Sequence, residues 1–191
     1  MKRVTAGVLS VGLMSLLAFG TQLCRARPEP KMTTDPPSAE AVPPGPITAT
    51  TPVAIPTEPG AELQNAIRAI ADGDKETTLR LTFVGMTPPA IRASVRVYLN
   101  ADPRRPLPDT EAPQFVGSFS FYGTTGSKTP YDMMVGLNAT ILRLNQAGKL
   151  RMGDPLVVSA IAVPFEEKAD KVEIKVPFQR LRLSAHRTPS R

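Results

Sequence analysis

One histidine, one cysteine and a scatter of carboxylates are all that this chain of 191 residues offers to side-chain chemistry. His186 stands in SAHRTPSR, which reads as a polar tail. A zinc site needs further Cys or His ligands. A Ser-His-Asp arrangement needs its imidazole held rigidly. A solvated tail supplies neither. Cys24 has no internal partner, so disulfides say nothing about redox compartment. GTTGSK, residues 123–128, has some of the composition of a phosphate loop but the wrong spacing and no helix after it. Glu166, Glu167 and Asp170 are a conceivable glycosidase-type carboxylate set, but EEKADK reads more simply as a charged turn. The thioethers of Met86, Met133, Met134 and Met152 are soft enough for Cu(I). Only one adjacent pair exists, and neighbours in a strand face opposite ways, so packing is their expected role. No catalytic, cofactor-binding or metal-ligating residue is assigned, and no cofactor is expected.

The formal charge of +6 comes from 23 Lys and Arg against 17 Asp and Glu. The basic residues do not cluster. Arg80, Arg92, Arg96, Arg180 and Arg182 alternate with apolar residues, as on the solvated face of a sheet. A nucleic-acid groove wants clustered charge with stacking aromatics; aromatics are 5% and Trp is absent. Nucleic acid is therefore not an expected partner.

The elements that would hold any site begin after an unusual N-terminal third. Lys2 and Arg3 precede an uncharged run over residues 4–24, most apolar at 8–19. A charged start, an apolar stretch and small residues at its end make an export signal, with Ala18-Phe19-Gly20 a plausible cleavage site. The run is also just long enough to stay as a membrane anchor. Lipoprotein processing at Cys24 is a third option, disfavoured by the bulky Leu23 before it. Each option places the rest of the chain outside the cytoplasm: periplasmic, cell-envelope or secreted. Residues 25–59 hold ten prolines, from Pro28 to Pro59, and no apolar period. They read as a disordered, extended tether. The expected organisation is export segment 1–24, linker 25–59, folded domain 60–185 and tail 186–191.

Within the folded part, Leu63, Ile67 and Ile70 at helical spacing, with Gly73 as a stop, predict a short helix. TTLRLTFVGM (77–86), residues 92–99 and residues 114–122 alternate with period two and predict strands. Gly117 within the third marks a bulge or a close approach. NATILRLNQAG (138–148) predicts a second helix with Ile141, Leu142 and Leu144 inward and Gly148 at its end. LVVSAIAV (156–163) reads as a central strand buried on both faces. VEIKVPFQRLRL (172–183) reads as a last strand interrupted by Pro177. The fold class expected is mainly β: an antiparallel β-sandwich with one or two short helices.

The pieces VRVYLN (95–100), FVGSFSFYG (115–123), YDMMVGLNATILRLNQAG (131–148) and LVVSAIAVPF (156–165) follow one another as in a known family. In pattern and order the chain resembles the β-sandwich domain that lies C-terminal to the copper domain in tyrosinase-like and polyphenol-oxidase-like proteins. The resemblance covers about residues 77–183, and GSFSFYG is its most specific piece. A type-3 copper pair takes six histidines in that family, and this chain has one, so the copper domain is not in this sequence. The resemblance implies a non-enzymatic accessory or shielding domain. Its partner would be a separately encoded tyrosinase-like copper oxidase. Exposed aromatics near loops would make the contact or plug the entrance: Tyr122, Tyr131 and Phe165. The alternative is a cell-envelope β-sandwich binding module for protein or polysaccharide. A sugar platform would normally show exposed Trp or Tyr, and only three Tyr are present.

Overall fold

Alternating inward and outward residues build two four-stranded antiparallel sheets in this computed structural model, which describes residues 35–188 apart from 103–104, 122–126 and 166–173. The strands are β1 (Ser38–Ala41), β2 (Ile47–Thr48), β3 (Val53–Thr57), β4 (Thr77–Met86), β5 (Ala93–Leu99), β6 (Phe115–Ser120), β7 (Tyr131–Gly136), β8 (Leu156–Pro164), β9 (Lys175–Val176) and β10 (Arg180–Arg187). The helices are α1 (Ala61–Ala71) and α2 (Asn138–Gln146). The first sheet runs β1-β10-β4-β7 and the second β3-β8-β5-β6; β2 and β9 form a short ribbon. The expected mainly β, antiparallel sandwich is the fold observed.

The core lies between the sheets. Leu79, Leu81 and Phe83 of β4 and Leu181, Leu183 and Ala185 of β10 meet Val95 and Val97 of β5 and Val158 and Ala160 of β8 in one buried cluster. Phe83 crosses the gap to Phe119 of β6, with ring centroids 5.6 Å apart. Phe83 also meets Phe178 at 5.4 Å, and Phe119 meets Phe121 at 5.9 Å. Phe121 in turn meets Tyr131 at 6.2 Å. Tilted and edge-on pairs at this spacing are the favoured aromatic geometries.

The helices pack on one another and α1 lies against β4. Leu63, Ile67 and Ile70 of α1 are buried, as their spacing predicts. On α2 the buried residues are Thr140, Ile141 and Leu144, while Leu142 is only half-buried. Each helix ends at a glycine with positive φ, Gly73 at +94° and Gly148 at +63°, and their N–H groups donate to Ile70 O and Asn145 O.

Two asparagines extend ladders beyond the strands. Asn138 accepts from Leu79 N–H at 2.8 Å and donates to Thr77 O at 2.7 Å, pinning the start of α2 to β4. Asn100, at φ +54°, accepts from Val157 N–H through its side chain and donates to Val157 O through its backbone.

Several expectations are corrected. The tether assigned to residues 25–59 does not hold for 35–59: these residues belong to the compact unit 35–191, and 38–57 contain β1, β2 and β3. Ile47 and Ile55 are fully buried there. The prolines misled because β1 and β3 are edge strands, where a missing N–H on the outer side costs no ladder bond. The tail assigned from residue 186 begins later, because His186 and Arg187 pair with Thr78 and Thr77 in β10. β7 is an additional strand. β8 is central, but Val157, Ile161 and Val163 on its outer side are only half-buried. The last strand divides at Pro177 into β9 and β10. The bulge expected at Gly117 is present beside it, where the β5–β6 register shifts. A second bulge centres on Gly85, φ +65°, where the β4–β7 register shifts. The export segment, residues 1–24, lies outside the described residues, as do residues 25–34. No helix among the described residues is long and apolar enough to cross a membrane.

Phe119 is 8% exposed and touches both Phe83 and Phe121, so Phe119→Ala is expected to cost ~3–5 kcal/mol. Ser120, on the other face of β6 and half-buried, should cost no more than about 0.5 kcal/mol as Ser120→Ala. Denaturant melts of the two variants check the face assignment. Asn138→Ala should cost about 1–3 kcal/mol, since Leu79 N–H and Thr77 O both lose their partner.

Candidate functional site

Two surfaces of the sandwich carry residues that could act on something else. The first is the loop end. Ala93 O, at the start of β5, accepts from Phe121 N–H, and Arg92 O accepts from Phe165 N–H, both at 3.2 Å. The ends of β6 and β8 are thereby fixed on either side of β5. Thr87 N–H donates to Pro177 O at 2.9 Å and ties a third loop down. Pro88 and Pro89 are buried beside it.

The three aromatics expected as contacts fare differently. Phe165 is 43% exposed and is the one large aromatic in solvent among the described residues. Tyr131 begins β7, is half-buried and lies edge-on to Phe121. Its ring is part of the packing. Tyr122 lies outside the described residues. Glu166, Glu167 and Asp170 lie outside them too, and so do residues 123–126 of the glycine-containing loop.

The second surface is the outer face of the first sheet, which the strand register assembles in rows. Ser38, Ser184, Arg80 and Gly136 lie abreast, and so do Glu40, Arg182, Thr82 and Met134. The twist makes this face a trough of about 580 Å³. Glu40 lies 2.7 Å from Arg182 Nε and 3.4 Å from Arg180 Nε. The hydrogen bond from Arg182 is the main cause that holds the Glu40 carboxyl below its ordinary value of 4.5. The charges of Arg180 and Arg182 add to it, against a desolvation cost. Asp74 is also lowered, first by the Thr77 hydroxyl and then by Glu76 N–H. Arg80 has no ion-pair partner among the described residues.

The structure holds His186 where the sequence reading did not, in a strand, with Nε2 3.5 Å from Ser184 Oγ. That places a hydroxyl beside an imidazole, the first two parts of a nucleophilic triad. Among the described residues no carboxylate is hydrogen-bonded to the ring to orient it. The neighbouring backbone N–H groups belong to the ladders of β10, so they form no backbone oxyanion hole beside the hydroxyl; Arg80 lies abreast of Ser184. The pair fits a sheet-face contact. The methionines divide as strand geometry requires: Met133 packs against the core and Met134 is 56% exposed. Met86 is fully buried. Among the described residues no group of three or more His, Cys, Asp or Glu could hold a metal ion.

No family model matches this sequence, and no curated protein does. Among solved structures, the chain is similar to a recombinantly expressed latent aurone synthase (polyphenol oxidase). The TM-score is 0.48 and the identity 12%, over 76% of this chain and 26% of that one. The same enzyme from its natural source gives 0.47 and 11%, with the same coverage. Latent apple tyrosinase gives 0.44 and 15%, over 73% of this chain and 27% of that one. The matched region is the C-terminal part of those proteins. The chain therefore spans about a quarter of the length of the solved structures it matches.

The lowered Glu40 carboxyl generates a pH prediction. Its ion pairs with β10 contribute in full above the unfolded-state value and are lost as pH falls through the lower folded-state value. Below the ordinary carboxylate range, amide protection in β1 should drop relative to β4. Glu40→Gln should show the weaker β1 protection at neutral pH and little further change on acidification. Hydrogen exchange read strand by strand is the measurement.

Proposed function

We propose that this chain is an exported, non-enzymatic accessory domain that docks by its loop end on a tyrosinase-like copper oxidase. The observation that carries the reading is Phe165. It is a ring 43% exposed at the tip of a central strand, whose backbone N–H is held by Arg92 O. Loops on a rigid scaffold are where binding residues concentrate. The sequence resemblance supports the choice of partner. Its pieces are β5, β6, β7 with α2, and β8, and each of those four strands has one end at this loop end, while α2 lies at the other. The charged start and apolar run of residues 2–24 support export. Membrane anchoring through residues 4–24 is the form that export takes if the run is not cleaved.

The trough on the first sheet favours a second reading, a cell-envelope binding module for protein or polysaccharide. Its lining mixes Arg80, Arg182, Glu40 and Asp132 with hydroxyls. That lining suits a polar ligand, but it offers no aromatic platform.

Co-purification from the native host separates the two. The wild-type chain should capture a copper oxidase and alter its phenol-oxidising activity. Phe165→Asp should weaken capture about 30-fold, the loss of about 2 kcal/mol that marks a central anchor, with an unchanged melting temperature. Tyr131→Asp is the poorer probe because it also removes the contact with Phe121. A folded chain that captures no copper protein, or that captures one equally well as Phe165→Asp, sinks the docking reading. Retention on envelope polysaccharide, lost in Arg80→Ala, would favour the second.

A further inference from the structure

Among the described residues the two four-stranded sheets have four edges, and three are blunted. β1 is four residues long and flanked by Pro36, Pro37, Pro43 and Pro44. β3 carries Pro56 within it. β6 is bulged beside Gly117. Short strands, prolines and bulges are the usual guards against edge-to-edge pairing. β7 is guarded less: Pro130 precedes it, but the six-residue edge strand itself, YDMMVG, holds no proline, lysine or extra residue. The bulge in its pairing falls on β4, at Gly85.

Leu137 N–H donates to Leu79 O, which sets the alternation of the ladder. Leu137, Val135 and Met133 bond to β4, so Gly136, Met134 and Asp132 turn their N–H and C=O groups away from it. The same three residues point their side-chain positions to the outer face, where Met134 is 56% exposed.

We propose that the β7 edge is a self-association surface, and that its occupant is β7 of a second copy of this chain, paired antiparallel about Met134. The argument is complementarity. A two-fold pairing centred on Met134 sets Met134 against its own counterpart and Met133 against Val135, apolar against apolar. It sets Asp132 opposite Gly136, so no like charges meet. It also continues the row Ser184–Arg80–Gly136 into Asp132 of the second copy. Arg80, which has no ion-pair partner among the described residues, then faces the Asp132 carboxylate of the second copy two strand spacings away, about 10 Å between Cα atoms; Oδ1 of that carboxylate accepts from Gly85 N–H of its own chain, so Oδ2 is the atom left for the arginine. The long Arg and the short Asp side chain span that gap across the glycine. Gly136 needs no special backbone angle, and a Cβ there would meet nothing within 4 Å. Nothing in the monomer requires a glycine at this position, whereas the cross-copy ion pair requires the space it leaves. The pairing is short, so the interface falls at the weak end of specific complexes, with dissociation expected in the micromolar to millimolar range.

Sedimentation equilibrium of the full chain in mild detergent tests this. The detergent keeps the apolar run at residues 4–24 from associating on its own. The mass should double with concentration. Met134→Pro removes only an N–H that faces outward, so it should leave the circular dichroism unchanged and abolish the dimer. Gly136→Val should weaken the dimer at least about tenfold while the fold stays intact. The pairing itself is read by charge exchange. Arg80→Glu and Asp132→Arg should each be monomeric alone, because like charges meet twice in each homodimer. An equimolar mixture should dimerise, because both ion pairs are then restored. A wild-type chain that stays monomeric to about a millimolar, a dimer that survives Met134→Pro, or a mixture of the charge variants that stays monomeric would overturn the proposal. So would a copper oxidase or other protein captured in a Met134-dependent way by a chain that never dimerises.

Discussion

The contact of Phe83 with Phe119 is the constraint that the rest of the structure depends on. It is where the two sheets touch through large rings, and it sets their spacing. From it a chain of edge-on aromatics runs back to Phe178 and outward through Phe121 to Tyr131. With aromatics at 5% and no tryptophan, much of the chain's aromatic area is spent on this one line. Its outer end lies where β6 stops and β7 starts, so the core packing and the geometry of the loop end are one system. Tyr131, at that end, is part of this packing. Phe165 lies off this line, 43% exposed, with its N–H on Arg92 O.

A second constraint is how strands end. Pro-rich and polar segments cannot complete ladders with their own backbones, and the chain substitutes side-chain amides. Asn138 gives and takes a hydrogen bond with β4, and Asn100 does the same with Val157 by combining side chain and backbone. Gly85 does the converse. Its positive φ inserts an extra residue into β4, and its N–H is answered by the Asp132 carboxylate across the bulge. A Cβ at Gly85 would lie 2.6 Å from Gln179 Cδ. Here backbone freedom and close approach coincide, in contrast to Gly136, where neither applies.

How much of this was legible in the sequence depended on whether a pattern was local. TTLRLTFVGM alternates without a break and reads as β4 to the residue. The helices read from three apolar positions and a glycine each. Residues 38–57 did not read, because proline density is a cue for extended chain in general. Whether that chain joins a sheet edge depends on strands 100 or more residues away in sequence, β8, β9 and β10. The buried Ile47, Ile55 and Thr57 were the available signal, sparse and interrupted. β7 alternates Tyr131, Met133 and Val135 against Asp132, Met134 and Gly136, but it is short and runs straight into a strong helix pattern. His186 looked like tail because polar residues follow it; only its pairing with Thr78 makes it a strand residue. The trough was not legible at all, since its rows exist only once four strands are in register.

The two candidate surfaces make different demands on the fold. The loop end needs rigidity at one point, and the bonds to Ala93 O and Arg92 O supply it from β5, a strand paired on both sides. The first sheet's outer face needs an open ladder and uncommitted charge. Glu40 neutralises Arg180 and Arg182 at the guarded β1 edge, which leaves Arg80 toward the less guarded β7 edge without an ion-pair partner among the described residues. That asymmetry across a single sheet is what a merely solvated face does not require. Here the arginine toward β7 is the one without an ion-pair partner among the described residues, and the residue between it and that edge is a glycine.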